Sequence, residues 1–169
     1  MLSSLFIDAN KCTGCRLCEA VCSLRHAGVC NPARARLRVI RFEDEGLDVP
    51  MMCQQCSKPV CVDICPAAAI SKDKDTGLVT TDASRCIGCK LCVMTCPFAG
   101  PSVDADGTII RCDLCDGEPR CAKFCQTGAI RYERADLSSL QRKREALKSL
   151  KSFYSMMLDD EGKSTEVKK

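Results

Sequence analysis

The stretch from Cys53 to Pro97 decides how this chain folds. It begins with CQQCSKPVCVDICP at residues 53–66 and ends with CIGCKLCVMTCP at residues 86–97. Zinc sites made of cysteine usually take two C-x-x-C pairs separated by about a dozen residues or more. Four sulfurs packed more densely than this, with the last one set back by three residues, favour a cubic 4Fe-4S cluster instead.

Two adjoining runs that each end in Cys-Pro are typical of a two-cluster bacterial ferredoxin. In that arrangement, the fourth cysteine of each run binds the cluster of the other run. The residues between the runs, PAAAISKDKDTGLVTTDASR at 66–85, predict a strand, a turn at Thr76-Gly77 and a second strand that returns to the next run. Residues 51–107 are therefore expected to form one contiguous module.

Two further runs repeat this pattern. The segment DANKCTGCRLCEAVC at residues 8–22 aligns without gaps on DASRCIGCKLCVMTC at residues 82–96. The run that begins at Cys112 resembles the one that begins at Cys53, with a proline two residues before the third cysteine in both. The chain is thus a duplicated unit of about 60 to 75 residues. In chain order, the first run is Cys12, Cys15, Cys18 and Cys22, and the fourth run is Cys112, Cys115, Cys121 and Cys125.

Strands next to the outer runs suggest how the runs pair. GAIRYE, after Cys125, predicts a strand, but no further run of cysteines follows it. SLFIDANK at residues 4–11 predicts a strand immediately before Cys12. We infer that these two strands pair and close a second module from the first and fourth runs. The alternative pairs the first run with the second and the third with the fourth.

The composition indicates which ligands fill the interior. The 169 residues include 17 Cys, no Trp, two Tyr and five Phe. We expect four 4Fe-4S clusters and a metal-free chain that is largely unfolded. The alternatives are three clusters with a zinc or empty site, and zinc throughout.

The regular runs argue against a disulfide scaffold. The net charge of +3 becomes negative once sixteen thiolates bind four oxidised clusters, so no nucleic-acid partner is expected.

No catalytic constellation accompanies the cysteines. The chain has one His, no Gly-rich phosphate loop and no recognisable Ser-His-Asp set. We therefore predict electron transfer and not catalysis. His26 is interpreted as a surface or hydrogen-bonding residue rather than a ligand. Cys30 lies outside every run and is interpreted as a small buried side chain, with a regulatory thiol as the alternative.

Residues 31–50 are predicted to be a basic connecting segment. Arginines alternate with apolar residues there, which predicts a strand with one basic face. This face is either solvated beside acidic residues or docked on an acidic partner. The arginines are Arg34, Arg36, Arg38 and Arg41.

The last part of the chain predicts a helix and a tail. Residues 136–158 carry a leucine-rich stripe at helical spacing that packs on the chain's own modules or on a partner. Residues 159–169 are short of apolar residues and are expected to be disordered.

No apolar stretch reaches the roughly 20 residues of a membrane span, and MLSSLFIDANK shows no export signal. We therefore expect a cytoplasmic location.

The four runs, in this order, resemble those of the four-cluster polyferredoxin subunits of molybdenum, tungsten and nickel oxidoreductases. The resemblance covers about residues 3–132. It implies that the first run pairs with the fourth and the second with the third. The chain departs from this family's pattern where Ser23 and Gln126, instead of Pro, follow the fourth cysteine of a run, and it shows no C-terminal membrane anchor.

The resemblance also implies which cysteines share a cluster. The first set is Cys12, Cys15, Cys18 and Cys125. The second set is Cys22, Cys112, Cys115 and Cys121. The third set is Cys53, Cys56, Cys61 and Cys96. The fourth set is Cys65, Cys86, Cys89 and Cys92.

The expected fold is α+β, with two pseudo-symmetric bacterial-ferredoxin-like modules. Residues 1–30 and 108–135 form the split module, and residues 51–107 form the central module. The resemblance implies a subunit that carries single electrons between a catalytic tungsten or molybdenum subunit and a flavoprotein or ferredoxin. The tungsten aldehyde-oxidoreductase type is favoured as the enzyme. A free-standing polyferredoxin and a zinc-stapled interaction protein are the alternative functions.

Overall fold

Short strands and helices carry the cysteine runs in a computed structural model, which describes residues 3–104 and 106–134 together with Leu147. The strands are β1 (Ser3–Ile7), β2 (Leu37–Phe42), β3 (Leu47–Met52), β4 (Ile70–Lys72), β5 (Val79–Thr81), β6 (Ser102–Val103), β7 (Ile109–Ile110) and β8 (Ile130–Arg134). The helices are α1 (Leu17–Ala27), α2 (Val60–Asp63), α3 (Leu91–Met94) and α4 (Arg120–Lys123). The fold is the small α+β type that the sequence predicts.

The chain divides into two compact units, Met1–Glu133 and Arg134–Lys169, and the fold described here is that of the first unit. Apart from Leu147, the helix predicted at 136–158 and the tail at 159–169 lie outside the described residues. Within the described part of the chain, no helix is long and apolar enough to cross a membrane.

The strands form four two-stranded sheets. β4 and β5 are antiparallel, with Ile70 opposite Thr81, as the sequence between the second and third runs predicts. β1 pairs with β8, so the strands beside the first and fourth runs lie together. The same hydrogen bond closes both arrangements: Asp82 N donates to Ala69 O (2.7 Å), and Asp8 N donates to Ala129 O (2.8 Å).

Each run bends in the same way around its cysteines. The residue before the second cysteine has a left-handed backbone in every run, with φ between 48° and 67°. The third cysteine is the second residue of a helix, and the fourth cysteine follows four residues later. α1 contacts α4, and α2 contacts α3. The helices therefore pair in the same order as the strands, first run with fourth and second with third.

Two apolar clusters form the interior. One contains Leu5, Leu37, Met52 and Ile130 together with Cys22, Cys53, Cys112 and Cys121. The other contains Ile70, Val79 and Ile109 together with Cys61 and Cys92. Cysteine sulfurs thus occupy positions that aliphatic side chains fill in most small domains, and both interiors depend on what the sulfurs bind.

The basic segment folds as a hairpin instead of the single predicted strand. β2 and β3 are antiparallel, with Leu37 opposite Met52. Arg41 forms two 3.1 Å hydrogen bonds to the Asp48 carboxylate. Arg36 forms an ion pair with Asp113. These pairs within the chain agree with the interpretation of the basic face as lying beside acidic residues.

Gly14 and Gly88 occupy equivalent places in the repeat but differ in their surroundings. Both have a left-handed backbone, with φ of +66° and +67°. A Cβ on Gly14 would lie 2.5 Å from Asp48 Oδ2, whereas a Cβ on Gly88 would meet nothing within 4 Å. Asp48 is buried and held by Arg41, so its carboxylate is not free to move away.

Alanine at these two glycines should therefore have unequal effects. Gly88→Ala is expected to destabilise the protein by about 1–2 kcal/mol, from the left-handed backbone alone. Gly14→Ala adds an overpacking penalty of about 1–3 kcal/mol. Thermal bleaching of the visible absorption of the metal-loaded protein measures both variants. Equal bleaching temperatures for the two variants would contradict the contact with Asp48.

Candidate metal centres

Three cavities are each lined by the four cysteines of one set. One cavity is lined by Cys12, Cys15, Cys18 and Cys125. Another is lined by Cys53, Cys56, Cys61 and Cys96. The third is lined by Cys65, Cys86, Cys89 and Cys92. None of these three cavities combines cysteines of the first run with those of the second, as the alternative pairing would require.

The second set comes together from the first and fourth runs. Burial raises the pKa of the Cys121 thiol, and the negative charges of Cys112, Cys22 and Cys115 add to the rise. Burial likewise raises the pKa of Cys22, to which Cys115 also contributes. The thiols of the first and fourth runs thus lie close enough to influence one another's pKa values.

Burial makes several of these thiols poor acids. Desolvation, the largest cause, raises the pKa of Cys18 and Cys112 to about 12. Without a metal, these sulfurs are protonated at neutral pH, and only the thiolate is a metal ligand. The binding of iron must therefore supply the free energy that removes the protons.

Backbone N–H groups point at the fourth cysteine of every run. Cys65 Sγ accepts from Ala69 N, and Cys96 Sγ accepts from Gly100 N, both at 3.3 Å. In the runs without Cys-Pro, the donors differ in position. Cys22 Sγ accepts from Arg36 N (3.3 Å), and Cys125 Sγ accepts from Ile130 N (3.4 Å). All four sulfurs thus carry the N–H contact that stabilises a thiolate ligand.

Cys65 and Cys125 show the electrostatic effect of these contacts. Burial acts to raise the pKa of both thiols, but nearby N–H groups outweigh it and lower both pKa values. The donors are Ala69, Ala67 and Ile70 N–H at Cys65, and Ile130 N–H with the Thr127 hydroxyl at Cys125. These two thiols therefore lose a proton more easily than an ordinary cysteine, and the thiolate is the form that binds a metal.

A charged network lies beside Cys115. His26 Nε2 is 3.7 Å from Cys115 Sγ and 3.4 Å from Asp113 Oδ1. Asp113 Oδ1 also accepts from Cys115 N (3.0 Å), and Asp113 forms the ion pair with Arg36. Burial first, and then the Arg36 charge, lowers the pKa of His26. His26 is thus a hydrogen-bonding residue, one of the two roles that the sequence predicts for it.

Packing groups the cysteines of neighbouring sets. Cys18 of the first set packs against the apolar cluster that contains Cys22, Cys112 and Cys121 of the second set and Cys53 of the third. Cys61 of the third set and Cys92 of the fourth set share the other cluster. This grouping predicts a row that runs from the first set to the fourth.

Gln55 links two of the sets through the backbone. Its Nε2 donates to Cys112 O, and its Oε1 accepts from Val79 N, both at 2.7 Å. The spacing of cysteines gives no signal for Gln55, Asp113, Arg36 or Arg111. Each of these side chains contacts a distant part of the chain. Asp113 and Arg111 nevertheless flank Cys112 in the sequence.

Cys30 is exposed, and the prediction of a small buried side chain is wrong. α1 ends at Ala27, and Gly28 after it has a left-handed backbone that turns the chain outward. Residues 28–33 are all exposed. Cys30 lies within this surface segment and belongs to neither apolar cluster.

The donor sets fit 4Fe-4S clusters better than zinc. Zinc needs four sulfurs converging on one point, whereas a cubic cluster takes one sulfur at each of four iron corners and fills the space between them. Three of the sets enclose a cavity, and N–H donors contact sulfurs of all four sets. Hydrogen bonds to the sulfurs are a general feature of iron-sulfur sites.

Comparison with known proteins agrees with this chemistry. Residues 45–135 match a 4Fe-4S dicluster domain, and residues 9–25 match a 4Fe-4S binding domain. The polyferredoxin-like subunit of an aliphatic sulfonate oxidoreductase from Pyrococcus furiosus is 43% identical over 122 residues, which are 72% of this chain and 70% of the relative.

A second relative matches this chain over almost its whole length. The electron transport protein HydN of Escherichia coli is 34% identical, with 85% of this chain and 97% of the relative covered. Among solved structures, the active-site complex BamBC of benzoyl coenzyme A reductase contains a chain that is 31% identical, with a TM-score of 0.47 and coverage of 78% of this chain and 75% of that chain. By the match over residues 45–135 and the identity to these relatives, the chain belongs to the family of 4Fe-4S dicluster proteins.

Proposed function

We propose that the four sets of cysteines hold four 4Fe-4S clusters, which supply one-electron transfer when bound. The observation that carries this proposal is the grouping of the cysteines by cavity, since three sets each line a cavity of their own. The second set, which consists of Cys22, Cys112, Cys115 and Cys121, is supported by the effect of its thiols on one another's pKa values.

We further propose two pseudo-symmetric modules. Residues 51–107 form the central module, and residues 1–30 with 108–135 form the split module, joined by the basic segment at 31–50. The pairing of β1 with β8 and the contact of α1 with α4 support the split module. The equivalent bonds from Asp8 to Ala129 and from Asp82 to Ala69 support the symmetry between the modules.

The row of sets suggests where electrons enter and leave. Cys15 of the first set and Cys89 of the fourth set are exposed, and they are second cysteines of equivalent runs. Cys112 and Cys121 of the second set are buried. We place the contacts with redox partners at the first and fourth sets, because a partner reaches a ligand there without displacing other residues.

The chain acts as a non-catalytic electron-transfer component of an oxidoreductase system. The relatives support this role through their descriptions as an oxidoreductase subunit and an electron transport protein. We propose that it carries single electrons in the cytoplasm between a catalytic subunit and a flavoprotein or ferredoxin. A tungsten enzyme of the aldehyde-oxidoreductase type is the favoured catalytic partner, with a molybdenum enzyme next.

Anaerobic purification with an affinity tag from the native host tests this function. We expect brown protein with about sixteen irons per chain, together with a large subunit that contains tungsten or molybdenum. Colourless protein that contains zinc would refute the clusters. A brown monomer that elutes alone would favour the free-standing polyferredoxin, and purification of the separately expressed chain serves as the control for nonspecific capture.

A further inference from the structure

Among the described residues, Arg111 is a buried cation without a carboxylate partner. It lies between β7 and Cys112 and is only 5% exposed. Its Nε donates to Thr81 Oγ1 (2.8 Å), and its Nη1 donates to Cys61 Sγ (3.5 Å). Its Nη2 is buried and has no hydrogen-bond partner in the part of the chain that the structure describes. Among the residues that the structure describes, no carboxylate forms an ion pair with it.

A guanidinium in this position needs an anion. An unpaired charge inside a protein is strongly unfavourable, and a buried N–H group without an acceptor adds to the penalty. Arg111 lines the cavity of the third set, alongside Cys61 and Cys96. Four thiolates around a bound cluster form a unit with net negative charge, and cluster sulfur accepts hydrogen bonds. A cluster held in this cavity would supply the anion that Arg111 lacks.

We infer that Arg111 is a positioning residue that raises the reduction potential of the third set. This inference rests on the proposed function, because it presupposes clusters. Reduction adds one negative charge to a cluster. A nearby cation stabilises the reduced form, and N–H donors to the sulfurs act in the same direction. Both effects are stronger in a buried site than in water.

The other sets lack this contact. Among the described residues, Cys61 is the only cysteine whose sulfur accepts a hydrogen bond from a guanidinium. Arg111 also approaches the fourth set, because Thr81, which accepts from its Nε, lines the cavity of that set. Its effect on the fourth set should be smaller, because no hydrogen bond from Arg111 to that set accompanies the charge.

The test compares Arg111→Gln with Arg85→Gln in the full chain, purified anaerobically with all its iron. Arg85 also directly precedes the first cysteine of a run, but it is exposed and donates only to Ala67 O (3.3 Å). Both variants remove one positive charge. The reduction potential of each cluster is measured by a redox titration followed by electron paramagnetic resonance, with iron content as the measure of loading.

We expect Arg111→Gln to lower the reduction equilibrium constant of one cluster about tenfold, which is 59 mV for one electron. A second cluster should move less and two should stay unchanged, while Arg85→Gln should move none by more than about twofold. Cys56→Ala, which removes a ligand of the third set, identifies the signal of that cluster by its loss. The potential that moves most in Arg111→Gln must belong to this signal. Unchanged potentials in the fully loaded variant, or a larger shift in another signal, would overturn the inference.

Arg111→Lys covers the case in which the Gln variant loses a cluster. It keeps the charge but cannot contact Thr81 and Cys61 with a planar fork. The potential of the third set should therefore fall by a smaller amount, about threefold in the equilibrium constant. Unchanged potentials in a fully loaded Lys variant would overturn the inference. A parent protein without iron would instead refute the proposed function, before any potential is measured.

Discussion

Removal of iron should abolish the folded structure of residues 3–134, because sulfur ligands make up much of the interior. Six of the seventeen cysteines are buried: Cys22, Cys53, Cys61, Cys92, Cys112 and Cys121. In the metal-free chain, these thiols surround empty space that only a few aliphatic side chains help to enclose. Binding free energy is folding free energy in such a domain. Small domains with so little core rarely fold unaided.

Hydrogen exchange and limited proteolysis measure this loss. Treatment with a chelator under anaerobic conditions should remove the protection of the amides in β4, β5 and β8, and reconstitution with iron and sulfide should restore it. Cys30→Ser, which changes a cysteine outside the four sets, should behave like the parent chain. A chelated chain that keeps its protection pattern would show that side-chain packing alone suffices.

Removal of one ligand from the second set should divide the row of clusters. In Cys115→Ala, we expect the loss of one cluster, and thus of about four irons. The first set is then left without a neighbouring cluster, because the second set lies between it and the third in the proposed row. The third and fourth sets stay beside each other, with Cys61 and Cys92 in one apolar cluster.

Spin coupling in the fully reduced protein detects this division. Electron paramagnetic resonance should show one uncoupled cluster and one coupled pair in Cys115→Ala. Cys89→Ala is the matched control, because it also changes a second cysteine but affects the fourth set at the end of the row. It should lose the same amount of iron and leave no uncoupled cluster. An uncoupled signal in both variants, or in neither, would contradict the order of the sets.

The local architecture of the runs could be predicted from the sequence. Ligand chemistry restricts the spacing of cysteines so strongly that the repeat is visible without an alignment. The turn between β4 and β5 follows from Thr76-Gly77, and the pairing of β1 with β8 follows from a strand left without a neighbour at each outer run. In each case, the prediction depended on residues within about ten positions of a cysteine.

The remainder depends on contacts between distant segments. β2 with β3 and β6 with β7 are hairpins that cysteine spacing does not indicate. The side chain of Arg111 reaches Cys61, 50 positions away, and that of Gln55 reaches Cys112, 57 positions away. The prediction that Cys30 is buried rests on the general tendency of free cysteine toward burial. Its exposure results from the end of α1, which a composition argument does not locate.

The pairing of β1 with β8 also determines the order in which the sites become complete during synthesis. The second and third runs are separated by 20 residues, between Cys65 and Cys86, so their sulfurs meet soon after both have left the ribosome. Cys12, Cys15 and Cys18 are made first but must wait for Cys125. A chain that stops short of the fourth run therefore supplies full ligands for the third and fourth sets alone, and the exposed end at Cys15 is finished last.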